Sequence, residues 1–391
     1  MAEKNRQKSI QDKSWLSKNK WSLIVLAAAA LIFIAARIFA ASGVVDDRDE
    51  AGEYAEYETG TVLAVLSDTT EADENADGAF RGEQSMTVKV TSGRYEGEEL
   101  LVQNFVGPLY GVPVSEGDSV TMIISTHGDG SHSATVYEYN RESALIIVIA
   151  LFLLVTVLVG GKTGAKSLVG LILTFVCIIW ILIPLLLKGL PTLPTVFFVC
   201  ALVTAVCFVI LGGVGKKTAC AALGTICGVA IAMLFGLAAQ ALVRIDGLRA
   251  ADVEPLLQLR QTGTPIGLKN LLVGGIIISA LGAVMDVAMS ISSAITEIHS
   301  VDPKLGQKEL FKSGMNIGRD MVGTMTNTLI LAFIGSSFVL VIYLCSLGLE
   351  THQLLSSSYL AIEVVSGIAS SIGVILSVPI TALLSSAIIS K

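Results

Sequence analysis

Residues 271–295 read LLVGGIIISALGAVMDVAMSISSAI. The stretch is 25 residues long, enough to cross a bilayer with some tilt. One carboxylate, Asp286, lies near its middle. Stepping at helical spacing gives Gly275, Ser279, Gly282, Asp286, Ser290, Ser293 and then Glu297, a single small and polar stripe on an apolar body. Lipid cannot solvate such a stripe, so it is expected to pack against other helices. A carboxylate in hydrocarbon is costly, so Asp286 is expected to be protonated, paired or facing water.

The same character runs through the chain. Of 391 residues 53% are hydrophobic and 15% charged, which is too apolar for a soluble globular protein. The net charge of −7 hides a division: residues 42–142 hold 21 acidic and 5 basic side chains, a local −16, so the remainder carries +9. One acidic segment and one basic, apolar segment imply the two sides of a membrane. The six cysteines all fall in apolar stretches, where a thiol is a small apolar filler, and the acidic segment has none.

Residues 1–20 form a basic tail that precedes an apolar anchor over 21–41. The apolar run exceeds a usual signal-peptide core, so an uncleaved anchor is expected. Residues 42–142 then alternate with period two, as in Val62/Ala64/Leu66, Met86/Val88/Val90, Val120/Met122/Ile124 and Thr135/Tyr137/Tyr139, between turn signals such as Glu116-Gly117-Asp118. About five short strands predict a small all-β domain, an OB-like barrel or a sandwich. Its charge repels phosphate, which excludes nucleic acid as a partner.

Residues 143–391 hold seven further apolar spans, at 144–159, 168–187, 195–211, 219–243, 271–295, 323–347 and 359–389, so about eight are expected with the anchor. Lys162/Lys166, Lys216/Lys217 and Lys304/Lys308/Lys312/Arg319 fall on the side of the basic tail. The positive-inside rule then places both termini in the cytoplasm and the β-domain outside, between the first and second spans. The fold class is therefore an α-helical polytopic membrane protein with an extracytoplasmic β-domain.

Two later spans repeat the pattern of Asp286. Asn316, Asp320, Gly323 and Asn327 share a face, as do Glu363, Ser366, Ser370, Gly373 and Ser377. Facing one another, the three stripes would form a polar seam suited to a cation or proton, with Asp286, Ser290, Asn316, Asp320, Asn327 and Glu363 as its polar groups. The competing reading is helix packing through small residues, with Asp286 paired to Arg319. Met285, Met289, Met321 and Met325 beside the seam read as packing. In the β-domain, Asp73, Asn75 and Asp77 with Gly78 match the start of a calcium loop, but Gln84 stands at the twelfth position, and a solvated acidic loop fits better. No other cofactor is expected. No phosphate loop, zinc motif or nucleophile triad points to an enzyme, and an intramembrane hydrolase pairing Asp286 with Asp320 is the third reading, with neither residue in a Gly-x-Gly-Asp setting.

The segments 282–290 (GAVMDVAMS), 318–329 (GRDMVGTMTNTL) and 377–382 (SVPITA), with Tyr139-Asn140-Arg141 and the Gly-Lys-Lys-Thr loop at 215–218, resemble the YibE/F-like membrane proteins over about residues 57–390. The resemblance implies a bacterial multi-pass protein of the cell membrane with an extracytoplasmic β-domain, and it implies no particular activity. The leading expectation is a transporter-like permease for a cation or small solute. The alternative is a membrane scaffold or receptor whose β-domain binds envelope ligands. Expected partners are the lipid bilayer, an ion or solute, and further copies of the chain or other membrane proteins.

Overall fold

A computed structural model of the protein describes residues 30, 33–35, 38, 54–126, 132–245, 247, 253–261 and 263–390. The chain divides into two compact units, Val44–Val155 and Met1–Gly43 with Thr156–Lys391. The basic tail and most of the expected anchor lie outside the described residues.

The first unit holds six strands: β1 (Tyr54–Asp68), β2 (Glu71–Asp73), β3 (Ala79–Val90), β4 (Glu99–Val106), β5 (Ser119–Thr126) and β6 (His132–Tyr139). β1 pairs with β5 through its first half and with β3 through its second. β3 pairs with β4, β4 runs parallel to β6, and β6 returns to β5. This ring of five strands is a small barrel rather than two stacked sheets, as in OB-like domains. Met86, Val88, Val102, Val120, Met122 and Ile124 fill it, on the alternation read from the sequence. Two strands differ from that reading. Bulges after Val62 and after Val65 shift the phase of β1, so Val62 points in and Leu66 out. In β6 the inward residues are Ala134 and Val136, and Tyr137 stands outside against Tyr57.

The second unit is helical. α1 (Glu142–Leu187) starts in the first unit and is followed by α2 (Thr192–Gly212), α3 (Lys216–Val243), the short α4 (Glu254–Gln261), α5 (Leu271–Val301), α6 (Gln307–Ser336), α7 (Phe338–Ser346), the short α8 (Thr351–Leu355) and α9 (Ser358–Ile389). Among the described residues five helices are long and apolar enough to cross a membrane, and six if α6 and α7, bent by 60° at Ser337, count as one broken span.

α1 is 46 residues long, about 69 Å at the α-helical rise, roughly twice a bilayer's hydrocarbon core. Gly161 breaks it, with φ 54° and ψ −136°, a conformation that side chains disfavour. A Cβ on Gly164 would strike the carbonyl oxygen of Thr156, eight residues back, which a straight helix would hold about 12 Å away. The chain therefore doubles back at Gly161, between the two spans expected at 144–159 and 168–187. Further on, Pro184 cannot donate to the preceding turn, and residues 178–182 widen into a π turn just before it.

α5 is the centre of this unit. It packs against α2, α3, α6 and α9 through Val273, Ile277, Ala280, Val284, Val287, Ile291 and Ile295. The tightest seam joins α3 to α9. Gly224, Gly228 and Ala232 of α3 recur every fourth residue and meet Thr381, Ser377 and Gly373 of α9. A Cβ on Gly228 would lie 2.7 Å from both Ser377 Cβ and Val284 Cγ1. Residues without bulk let helices approach this closely, the usual substitute inside a membrane for a hydrophobic driving force.

Candidate functional site

The polar stripe of α5 is not its packing face. Gly275, Ser279, Gly282, Asp286, Ser290 and Glu297 are exposed, while the apolar residues around the rest of the helix are buried. Nothing lies within 4 Å of a Cβ built on Gly275 or Gly282. The expectation that neighbouring helices cover this stripe is not met among the described residues: the Val, Ile and Ala faces form the core and turn the stripe outward. Of the stripe, Ser279 reaches a neighbour, its hydroxyl 3.0 Å from that of Ser370 on α9.

Asp286 has no hydrogen-bond or ion-pair partner among the described residues, so the pair with Arg319 is not formed. The flanking Met285 packs against the core from the edge of the stripe, as do Met321 and Met325 of α6. These side chains serve packing.

α6 repeats the division. Leu310, Gly314 and Gly318 are buried, with Gly314 against Ile295 and Ala382 and Gly318 against Ile291 and Val378. Asn316, Asp320, Gly323 and Asn327 lie on the other side and are exposed. α5 and α6 are joined by a short turn at 302–306, through which Asp286 and Asp320 come to similar depth. At the α-helical rise Asp286 is about 22 Å from the end of α5 and Asp320 about 20 Å from the start of α6. The structure thus brings the two carboxylates to one level, each on an uncovered face.

The stripe of α9 behaves differently. Ser366, Ser370, Gly373 and Ser377 are buried against neighbouring helices, and Ser377 turns its hydroxyl back to the carbonyl of Val374 at 2.7 Å. This part of the expected three-helix seam is a packing seam. Glu363, a turn earlier, is half-buried at the edge of a cavity of about 310 Å³ between α9 and the bend of α6 into α7. Apart from Ser337 and Gly367, the cavity's other lining residues are aliphatic or aromatic, among them Ile330, Phe333 and Leu360. The small residues of α3 escaped the sequence reading, although Gly224, Gly228, Ala232 and Gly236 at steps of four are visible in it.

In the barrel, residues 73–78 form the bend of the β2–β3 hairpin. One oxygen of Asp73 accepts from the Asn75 amide at 2.9 Å, and the other is paired with Arg81. Asp77 takes a left-handed conformation at φ 54°. Among the described residues no group of three or more His, Cys, Asp or Glu is gathered as a metal site would require.

The number, length and apolar character of the helices support a multi-pass membrane protein. A family model described as "YibE/F-like protein" matches residues 148–391, and the chain belongs to this family. The match lies in the helical part and begins after the barrel. No curated protein and no solved structure matches the chain.

Proposed function

We propose that this protein is a permease for a cation or small solute, driven by a proton or ion gradient. The observation that carries the reading is the position of Asp286: a carboxylate at mid-helix, without a partner among the described residues, on the uncovered stripe of the central helix of its unit. Acidic residues at such depth are expensive and are kept where charge moves. Ser290 on the same stripe, Asp320 at similar depth on α6, and Asn316 and Asn327 one and two turns to either side of Asp320 supply further oxygen ligands. Glu363 stands apart at its apolar cavity. In this reading the protein sits in a bacterial cell membrane with both termini cytoplasmic and the barrel outside, supported by the lysines of the alternate loops. It is not an enzyme, and the 73–78 bend is a solvated turn, its Asp73 already committed to Arg81 and Asn75.

The experiment compares ion and solute accumulation in cells carrying Asp286→Asn, Asp286→Leu or the unaltered protein, normalised to inserted protein. Asn keeps size and hydrogen bonding but cannot carry the charge. Loss of transport in the Asn variant at normal abundance is the expected outcome. Full activity of that variant would instead favour a scaffold or receptor, a reading to which the exposed Tyr57–Tyr137 pair of the barrel, with Leu101 and Phe105, lends a binding surface.

A further inference from the structure

We propose that the cavity between α9 and the bend of α6 into α7 binds a hydrophobic organic cation, an ammonium group on an aliphatic or aromatic body. Glu363 takes the charge and the cavity wall takes the body. The site is separate from Asp286 and does not rest on its role.

The cavity holds about 310 Å³, at the lower end of small-molecule sites, which run from about 300 to 1,000 Å³. Most of its wall is aliphatic, and Phe333 adds an aromatic ring. Gly367 brings the backbone of α9 against that ring: a Cβ built on it would lie 3.5 Å from the nearest ring carbon. Two polar side chains break the apolar lining. Glu363 is half-buried, and its carboxylate has no hydrogen-bond or ion-pair partner among the described residues. Ser337, at the bend, is only 8% exposed, and its hydroxyl has no partner among the described residues either. A serine in a helix can turn back to its own backbone, as the neighbouring Ser336 does to the carbonyl of Phe333 at 2.8 Å. The Ser337 hydroxyl is left to the cavity. A second cavity, of about 340 Å³ with Phe33, Leu173 and Val206 in its wall, has no charged or hydroxyl group in its lining. Hydrocarbon alone satisfies such a space. The cavity at Glu363 calls for positive charge as well.

The neighbouring elements do not supply that charge. Residues 338–389 hold no lysine or arginine, and Arg319, the last basic residue of α6, stands 14 residues before Phe333, about 21 Å at the α-helical rise. A carboxylate without a counter-charge in so apolar a setting is costly, and a bound cation offsets that cost. An inorganic divalent ion does not fit, since calcium or magnesium takes about six oxygen ligands or more, and the side chains of this lining offer one carboxylate and one hydroxyl. An organic ammonium ion needs less. The carboxylate faces its charge, the Ser337 oxygen adds a dipole, the ring of Phe333 attracts the cation, and the body covers the aliphatic wall.

The test is equilibrium binding of radiolabelled benzyltrimethylammonium to the purified full chain in an uncharged detergent. It compares the unaltered protein with Glu363→Gln and with Glu297→Gln, an exposed acid of α5 outside the cavity. The expected result is saturable binding that weakens about tenfold or more in Glu363→Gln, as befits an ion pair half-open to solvent, and is unchanged in Glu297→Gln. Neopentylbenzene, the neutral carbon isostere of the probe, should displace it from the unaltered chain about tenfold less well than unlabelled probe does. That comparison decides the charge preference even where the Gln variant fails to fold. Absence of saturable binding to the unaltered chain overturns the proposal. So does equal affinity in folded Glu363→Gln, or an equal loss in Glu297→Gln, which would make the effect one of overall charge. Equal displacement by neopentylbenzene would assign the cavity to lipid chains and overturn it too.

Discussion

At the scale of the residue, the chain spends its buried polar groups economically. Gln84 and Asn104 are both buried in the barrel, and they hold one another at 2.9 Å. Gln84 also donates to Asp68 and to the carbonyl of Val114, and accepts from the Val114 amide. They tie the loop after β4 to the barrel wall. Hydrogen bonds from the Thr70 hydroxyl, the Thr70 amide and Gln84 hold the Asp68 carboxyl below its ordinary value. Its stabilising contribution is therefore full above the unfolded value, about 3.9, and lost as pH falls through the lower folded value. Expressed alone, residues 44–141 should fold, and their melting temperature should drop below about pH 4. Asp68→Asn should flatten that dependence, and an unchanged profile would mean that the three hydrogen bonds carry no net weight. The isolation of Asp286 as a lone carboxylate in an apolar run was legible at this scale. Its lack of a partner was not legible, because partners come from other elements.

At the scale of the element, periodicity revealed the stripes but not their neighbours. The stripes of α5, α6 and α9 look alike in sequence, yet the first two face outward and the third is a packing seam. What separates them lies on α3, whose Gly224, Gly228 and Ala232 receive α9 at close range. A stripe of small residues becomes a seam only when a second such stripe is opposite, and a single helix does not report that. The seam makes a direct prediction. Gly228→Leu would force a side chain into atoms already 2.7 Å from its first carbon. The cost should be at least the ~1–3 kcal/mol of ordinary overpacking. Thermal unfolding in detergent should reveal it, whereas Gly282→Leu on the open stripe of α5 should be nearly silent. Equal losses at both positions would show that the stripe of α5 is covered after all. In the barrel, alternation located the strands, and only the bulges of β1, invisible to a period-two count, moved Leu66 outside.

At the scale of the whole molecule, composition separated the acidic β-domain from the helices, and the boundary in the structure falls at Val155, just inside the first helix after the barrel. Loop charges predict sidedness. Cysteines introduced near residue 93 should react with an impermeant maleimide applied to intact cells, and those at 216 or 308 only after lysis. Reaction of all three sites from outside would invert the orientation. The break between α6 and α7 has an electrical consequence. α7 starts one residue after α6 ends, and amides still reach the carbonyls at the joint, from Ser337 to Phe333 and from Val341 to Ser337. The negative end of one helix dipole therefore meets the positive end of the next and largely cancels it. A bend of 60° turns the path of the chain without leaving a charge at the corner, and Glu363, which shares a cavity with Ser337, faces an electrically quiet joint.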